Sequence, residues 1–448
     1  MQRDGFGSRL GALMALVGSA VGLGNLWKFP YMAGKYGGAA FIIVYIGFMF
    51  IFCLPLMLSE FIIGRRSQSN AVGAFKKLAP STPWFLTGVV GVLTAFLILS
   101  FYSVVGGWTI KYFATYIFSG FDEGACAGNM FYEFTQSSIQ PIVTHLIFLG
   151  ITIAILWMGV KNGIEKYSKI LMPALFLMIL ILTFYSISLP NSGEGIRFLL
   201  LPDFSKLTPE ALLNALGQGL FSLSLGMGTV ITYSSYMKKT ERLGKIAILT
   251  IMMDLIFALL AGFVILPAVF SFGSQPDQGP TLLFDILPQI FAQMSFGGIF
   301  AVLFFVILII AALTSSISLL EVIVAYLSEE RKIPRKKALI ISGVALAVLG
   351  SLCSLSFGLL KDFTILQNTI FDLFDKLSST YMMPIGALLI SLFVGWKMKK
   401  KEVYDEMSNS KSIKVRGFNI LLFLIRYIVP VGIVIIFLNL LGVFDKLF

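Results

Sequence analysis

The sequence predicts an all-α integral membrane protein, and three observations predict it. Hydrophobic residues make up 57% of the 448 residues and charged residues only 13%, where a soluble domain sits nearer half apolar and a quarter charged. Apolar runs of membrane-spanning length recur from end to end. Eleven are counted, centred near Val21, Ile51, Leu99, Ile151, Leu177, Leu225, Leu259, Leu308, Ala345, Leu388 and Ile433. Two of these runs are broken by glycine: Gly18-Ser-Ala-Val-Gly-Leu-Gly-Asn25 in the first, and Ser222-Leu-Ser-Leu-Gly-Met-Gly228 in the sixth. In hydrocarbon every backbone polar group needs a partner, so unwound backbone is tolerated only where it is buried in protein or lines a cavity. Paired interruptions in two halves of a membrane chain point to a solute-binding site near the bilayer midplane.

The first run is long and meets a charged stop, so it reads as a span and not as a cleaved leader. The net charge of +11 is not a nucleic-acid signal, because of where it lies. Basic residues gather in alternate loops: Arg65, Arg66, Lys76 and Lys77; then Lys161, Lys166 and Lys169; then Lys238, Lys239, Arg242 and Lys245. Denser clusters follow from Arg331 to Lys337 and from Lys397 to Arg416, while Phe121 to Gln140 and Gly273 to Pro288 carry almost none. This positive-inside pattern places the N-terminus in the cytoplasm and, after eleven spans, the C-terminus outside a cell inner (plasma) membrane. The same clusters suit contact with anionic lipid.

Cys53 and Cys353 lie in apolar runs and Cys126 alone in an outside loop, so no disulfide framework is implied. His145 is the only histidine. No His/Cys metal cluster or Ser-His-Asp triad can be assembled around it, which argues against an enzyme.

The chain reads as a single domain over 1–448. Five spans separate the two interruptions, and an odd number means that the second unit crosses the membrane in the opposite sense. That is an inverted-topology five-plus-five repeat. The first repeat is expected over about 8–188, the second over about 209–397, and an extra helix over about 417–446.

Within the interruptions the residue types suit a small cation. Sodium takes oxygen ligands from carbonyls, hydroxyls, amides and carboxylates. Asn25, Ser222, Ser224 and Asp254 supply side-chain oxygens, and Thr314-Ser315-Ser316 in the eighth span adds three hydroxyls. Glycines in membrane helices commonly mark close packing, and span hydroxyls commonly bond their own helix. Asp254 stands apart, because an ionisable residue inside a span is costly and functional by default.

At this point the residues resemble a family. Gly18-Ser-Ala-Val-Gly-Leu-Gly-Asn-Leu-Trp-Lys-Phe-Pro30 with Gly37-Gly38-Ala-Ala-Phe41, the run from Gly217-Gln218 to Tyr236, and Ala311-Ala-Leu-Thr-Ser-Ser316 are similar, in order and spacing, to signatures of the neurotransmitter:sodium symporter family. The resemblance covers essentially the whole chain. It implies the eleven-helix LeuT-like fold, with helices 1 and 6 unwound at mid-membrane, and a bacterial amino-acid transporter that uses two sodium ions.

The resemblance also implies roles. The first sodium would meet the Ala20 carbonyl, Asn25, Ser222 and Asp254. The second would meet carbonyls of Gly18, Val21 and Ala311 with the hydroxyls of Thr314 and Ser315. The substrate carboxylate would face amides near Gly22 and Gly24 and the Tyr102 hydroxyl; its ammonium would face carbonyls of Ala20, Phe221 and Ser224. Ile98, Tyr102, Phe221, Met227, Ser316 and Leu319 would line the side-chain pocket. Lys28 and Asp375 would form an outer gate, with lysine lacking the planar fork that the family's more usual arginine has. Arg3 and Glu329 would form an inner gate capped by Phe6. Glu60 would bond the exposed backbone of the broken helices. Gly163 and Pro173, ten residues apart, weaken the fifth span; unwinding of the segment between them would admit water and release the second sodium. Glu321 is singled out by its location alone.

Chloride-dependent members carry serine one turn after a seventh-span asparagine. Here Ala258 and Asp254 stand at those positions, so no chloride requirement is expected, although Tyr45, Gln218 and Ser222 remain. The reading is sodium-coupled symport of hydrophobic or aromatic L-amino acids by alternating access. Its alternatives are proton coupling through Asp254 in the same fold and a non-transporting amino-acid sensor. Oligomeric state, stoichiometry and the preferred amino acid are not legible.

Overall fold

The computed structural model describes residues 5–273 and 282–440. Among them the regular structure is helical, with one isolated bridge between Ile365 and Asn368 and no strand. We label α1 (Arg9–Ala20), α2 (Gly24–Lys35), α3 (Ala39–Ser67), α4 (Phe85–Phe118), α5 (Gln140–Trp157) and α6 (Val160–Ile187). There follow α7 (Pro209–Ser222), α8 (Thr229–Ser234), α9 (Leu243–Ser271), α10 (Gly297–Glu329), α11 (Arg335–Leu355), α12 (Ile370–Lys397) and α13 (Phe418–Asn439).

Nine of the described helices are long and apolar enough to cross a membrane, or ten if α1 and α2, bent by 48°, count as one span. The difference from the eleven expected lies at α7 and α8, each too short to qualify alone. Residues 441–446 of the expected last helix lie outside the described residues.

Both interruptions have local causes. α1 begins at Ser8, whose hydroxyl accepts from the Gly11 amide at 3.0 Å, a cap that satisfies one orphan donor of the first turn. The helix stops at Ala20, because Val21 is extended (φ −72°, ψ 105°). α7 opens with the Thr208 cap and Pro209 in the first turn, where a missing N–H costs nothing. It ends where Gly226 and Gly228 take φ of +79° and +77°, a region open to glycine without steric cost. A side chain at Gly226 would also collide with the Met383 carbonyl of α12, its Cβ only 2.2 Å away.

α4 and α10, the two longest helices, pack along each other and are the most enclosed, with 72% and 67% of their most apolar windows buried. α6 is the most open at 33%. Ile170, Leu177 and Phe184, seven residues apart along it, all stand exposed. An apolar stripe of that kind on an outer helix is a face for lipid. Cys126, expected in an outside loop, lies in a turn there and is buried, with its sulfur 3.9 Å from the Tyr112 carbonyl. His145 is fully buried against Gly350 of α11, where a Cβ would come within 2.3 Å of the ring.

Candidate substrate and ion site

The two interruptions meet. Asn25, just inside α2, donates through its amide to the Asp254 carboxylate at 2.8 Å and to the Ser222 hydroxyl at 3.0 Å. Ser222, the last residue of α7, donates to Asp254 at 2.8 Å. The Asn25 carbonyl oxygen accepts from the Gly22 amide at 3.0 Å. Asn25 and Asp254 are fully buried. A carboxylate, a hydroxyl and a side-chain amide therefore meet at the end of a broken helix, with the amide NH2 turned to the carboxylate and its oxygen to Gly22, in a setting where an uncompensated charge is expensive. Carboxylate, hydroxyl and amide oxygens are ligand types that a hard monovalent cation takes.

Part of the second expected group is brought together. A Cβ on Gly18 would lie 3.3 Å from Thr314, so α1 and α10 touch there. Thr314 donates to the carbonyls of Ile310 and Ala311 at 3.1 and 3.2 Å. The Ser315 hydroxyl lies 3.4 Å from the Ser19 carbonyl.

Between the two groups runs a narrow cavity of about 20 Å³. Its wall includes Ala20, Gly22 and Gly24 from the first interruption, and Phe221, Ser222, Ser224 and Met227 from the second. Ile98 and Tyr102 of α4 and Leu319 of α10 close it. One expected wall residue is absent from the wall of this closed cavity. Ser316 does not line the cavity, and Ser315 and Ser19 do. On α10 the face turned to the break is the one carrying Ser315 and Leu319, four residues apart, so Ser316 falls a hundred degrees away. Its hydroxyl is buried with no partner among the described residues.

The unwound backbone is already partnered. Tyr102 accepts from the Leu23 amide at 3.1 Å, Ser224 donates to the Ser19 carbonyl at 2.9 Å, and Gln218 donates to the Gly24 carbonyl at 2.9 Å. Glu60 of α3 accepts from the Gly226 amide at 2.7 Å, so it bonds the second broken stretch as expected. A cavity of this size holds about one water. Anything larger requires Phe221 and Met227 to move.

Phe221 also floors a wider vestibule of about 330 Å³, lined by Lys28, Asn214, Gln218 and Met383 among others. The Lys28 ammonium sits 4.3 Å from the Phe221 ring centre and 3.8 Å from Asp375. Both charged groups remain about one-third exposed, so solvent limits the attraction to well under about 1 kcal/mol.

On the opposite side, which carries the basic loops, Phe6 is 3% exposed and packs edge-on against Tyr233 and Tyr236. Tyr236 donates to Glu321 at 2.6 Å, and Arg335 grips the same carboxylate with two bonds at 2.9 and 2.6 Å. Glu321 thus acquires partners that its position alone did not suggest. Arg3 lies outside the described residues. Glu329 accepts from the backbone and side-chain amides of Asn70 at 2.8 and 3.0 Å. Gly163 lies in a π-helical stretch, Val160–Glu165, and Pro173 lies inside the wound α-helix Lys166–Ile187, so the stretch expected to unwind is helical in this conformation.

Sequence reasoning missed a polar knot beside this closure. Arg65, 1% exposed, donates to the Glu406 carboxylate at 2.6 Å and also to the carbonyls of Glu406 and Glu241. Arg9 pairs with Glu241 at 3.2 Å. The available signal was a pair of arginines at a span end, which topology already explained.

Known proteins of the same build exist. The model of the sodium:neurotransmitter symporter family matches residues 3–133 and 139–447. An uncharacterised sodium-dependent transporter of Bacillus subtilis, YhdH, is 45% identical over 97% of each chain. One from Haemophilus influenzae is 37% identical over 98% of each. The crystal structure of MhsT in complex with L-phenylalanine superposes with a TM-score of 0.90 at 42% identity, covering 98% of this chain and 99% of that one. With its broken helices brought together around a buried aspartate, this chain belongs to the sodium:neurotransmitter symporter family.

Proposed function

We propose that the chain is a sodium-coupled symporter of hydrophobic or aromatic L-amino acids, working by alternating access with two sodium ions and no chloride requirement. The observation that carries this is the buried Asn25–Ser222–Asp254 cluster at the junction of both interruptions, beside an apolar-walled cavity. The first sodium is assigned to Ala20, Asn25, Ser222 and Asp254; the second to Gly18, Val21, Ala311, Thr314 and Ser315. The substrate's charged ends go to the unwound backbone, and its side chain goes among Ile98, Tyr102, Phe221, Met227 and Leu319. The phenylalanine bound by MhsT, at 42% identity, supports that class of side chain. Ala20 supplies no carboxylate for an amine lacking its own acid group.

Alternation follows from the two closures. Sodium and substrate draw Phe221 and Lys28 over the cavity; release of Phe6 from Tyr233 and Tyr236 then opens the other side. The basic loops on that second side support its assignment to the cytoplasmic face of a plasma membrane. The Asp254 charge stands where an anion would otherwise balance sodium, with Ala258 buried one turn further on.

The test is uptake of labelled amino acids into proteoliposomes with sodium or potassium outside. Accumulation of one hydrophobic or aromatic amino acid, driven by inward sodium and unchanged when gluconate replaces chloride, supports the reading. Equal uptake in both cations overturns it and turns Asp254 into a candidate proton carrier, tested by the pH dependence of uptake.

A further inference from the structure

Glu165 lies near the start of α6 and belongs to neither ion group, the cavity nor the closures described so far. It is only 3% exposed. Its carboxylate accepts from the Gly7 amide at 2.6 Å and from the Ser8 hydroxyl at 2.8 Å. Lys169, one turn on, pairs with it at 2.5 Å. Ser8 in turn caps α1 by accepting from Gly11. One carboxylate of α6 therefore completes the N-terminal cap of α1, where negative charge also meets the positive helix end. The approach is close: a Cβ on Gly11 would fall 2.2 Å from the carboxylate, and one on Gly7 would fall 3.1 Å from Lys161.

The backbone that carries Glu165 is irregular. It closes the π-helical stretch Val160–Glu165, entered through Gly159 at φ +82°. Gly163 within it lies so near the Ile155 carbonyl that a Cβ would come within 2.2 Å. Isolated π turns of this kind often sit where a helix changes register at a functional site. The amino end of α1 is held from the other side as well. The Phe6 amide donates to the Tyr236 carbonyl at 3.1 Å, Lys238 donates to the Gly7 carbonyl at 3.1 Å, and Arg9 pairs with Glu241.

We propose that Glu165 is a positioning residue for transport: it is the latch by which α6 holds α1 shut, so that any change of winding in Val160–Glu165 and the release of α1 are one event. This rests on the alternating-access reading, in which α1 moves to open the basic side. Without the carboxylate, α1 loses two charge-assisted bonds, and the closed-to-open ratio falls by roughly ten- to a hundredfold.

The test is hydrogen exchange of the full chain in nanodiscs, followed over residues 5–20 and 159–170, with sodium or with potassium. Glu165→Ala is expected to speed exchange in both segments and to leave the first unprotected by sodium. Glu165→Gln, which keeps an acceptor but no charge, should fall between. Ser8→Ala removes the hydroxyl bond to Glu165 together with the Gly11 cap but keeps the Gly7 bond, and should speed exchange over residues 5–20 while changing 159–170 less than Glu165→Ala does. In proteoliposomes the sodium concentration for half-maximal uptake should rise at least tenfold in Glu165→Ala, with amino-acid exchange retained. Faster exchange confined to 159–170, or additive effects of the two alanine variants, overturns the latch. Exchange is read without transport. If wild-type uptake ignores sodium while the segments still respond together, the symport reading fails and the latch stands.

Discussion

Gly22 gives the sharpest test of the cavity. Built onto its backbone, a Cβ would lie 2.6 Å from the Ser315 hydroxyl oxygen and 3.0 Å from the Tyr102 hydroxyl oxygen. Neither neighbour retreats freely. Tyr102 accepts the Leu23 amide that unwinding leaves exposed, and Ser315 approaches the Ser19 carbonyl. Gly22→Ala must therefore either rotate Ser315 out of its assigned sodium group or push Tyr102 off Leu23. Overpacking of this kind costs about 1–3 kcal/mol, which converts to a loss of roughly five- to 150-fold in affinity. The same strain falls on the folded state, so the thermal midpoint should also drop relative to the Gly150→Ala control. The assay is sodium-driven uptake across a substrate series, with Gly150→Ala as control; its Cβ would meet nothing within 4 Å. The half-saturating substrate concentration is expected to rise within that range for Gly22→Ala and to stay unchanged for Gly150→Ala. Wild-type uptake by Gly22→Ala would refute the assignment of this cavity to substrate.

Other expectations concern charge and the wall. Asp254→Asn leaves sodium facing only neutral oxygens in a buried site, so uptake should vanish in gluconate; adding Ala258→Ser should restore it in chloride alone, as measured by anion replacement. Ser315→Ala should raise the half-saturating sodium concentration by about tenfold, the loss of one oxygen ligand at about 1.4 kcal/mol, while Ser316→Ala leaves it unchanged. Arg65→Leu removes the shortest of the cationic contacts to Glu406, leaving Lys239 at 3.8 Å and Arg66 at 4.0 Å. It should lower stability by less than the cost of a fully stranded buried charge, about 3–5 kcal/mol, read as a depressed thermal midpoint in detergent. Lys28→Ala removes the cation above Phe221 and should speed substrate release more than it changes stability, followed by washout of bound label.

What sequence revealed and what it hid divides along a physical line. The helix breaks were legible because they are local: glycine runs inside apolar spans have one main reason to exist. Asp254 was legible for a related reason, since a lone carboxylate in a span demands a purpose. Lys28 and Asp375 were reached through the family resemblance, and the fold brings them to 3.8 Å. Ser316 stands off the closed cavity while Ser315 lines it, because neighbouring hydroxyls on one helix differ only in azimuth, and a motif does not record which face a packed helix turns inward. That is fixed by α4 and α1 against α10, contacts hundreds of residues apart.

Glu165 and Arg65 were hidden for a different reason. Each sits among basic residues at the end of a span, where the topology rule already accounts for charge. Beside their side-chain partners each binds backbone groups, the Gly7 amide for one and the Glu241 and Glu406 carbonyls for the other, and a backbone group leaves no letter in the sequence. Both side chains bind the segments flanking α1 and α8, the outer ends of the two broken helices. The breaks mark where cargo can sit, and they need only glycine. Holding the broken ends closed needs charged groups that reach across the fold to bare backbone. The moving parts are therefore written locally and their restraints are not, so a reading confined to motifs finds the site and misses what controls it.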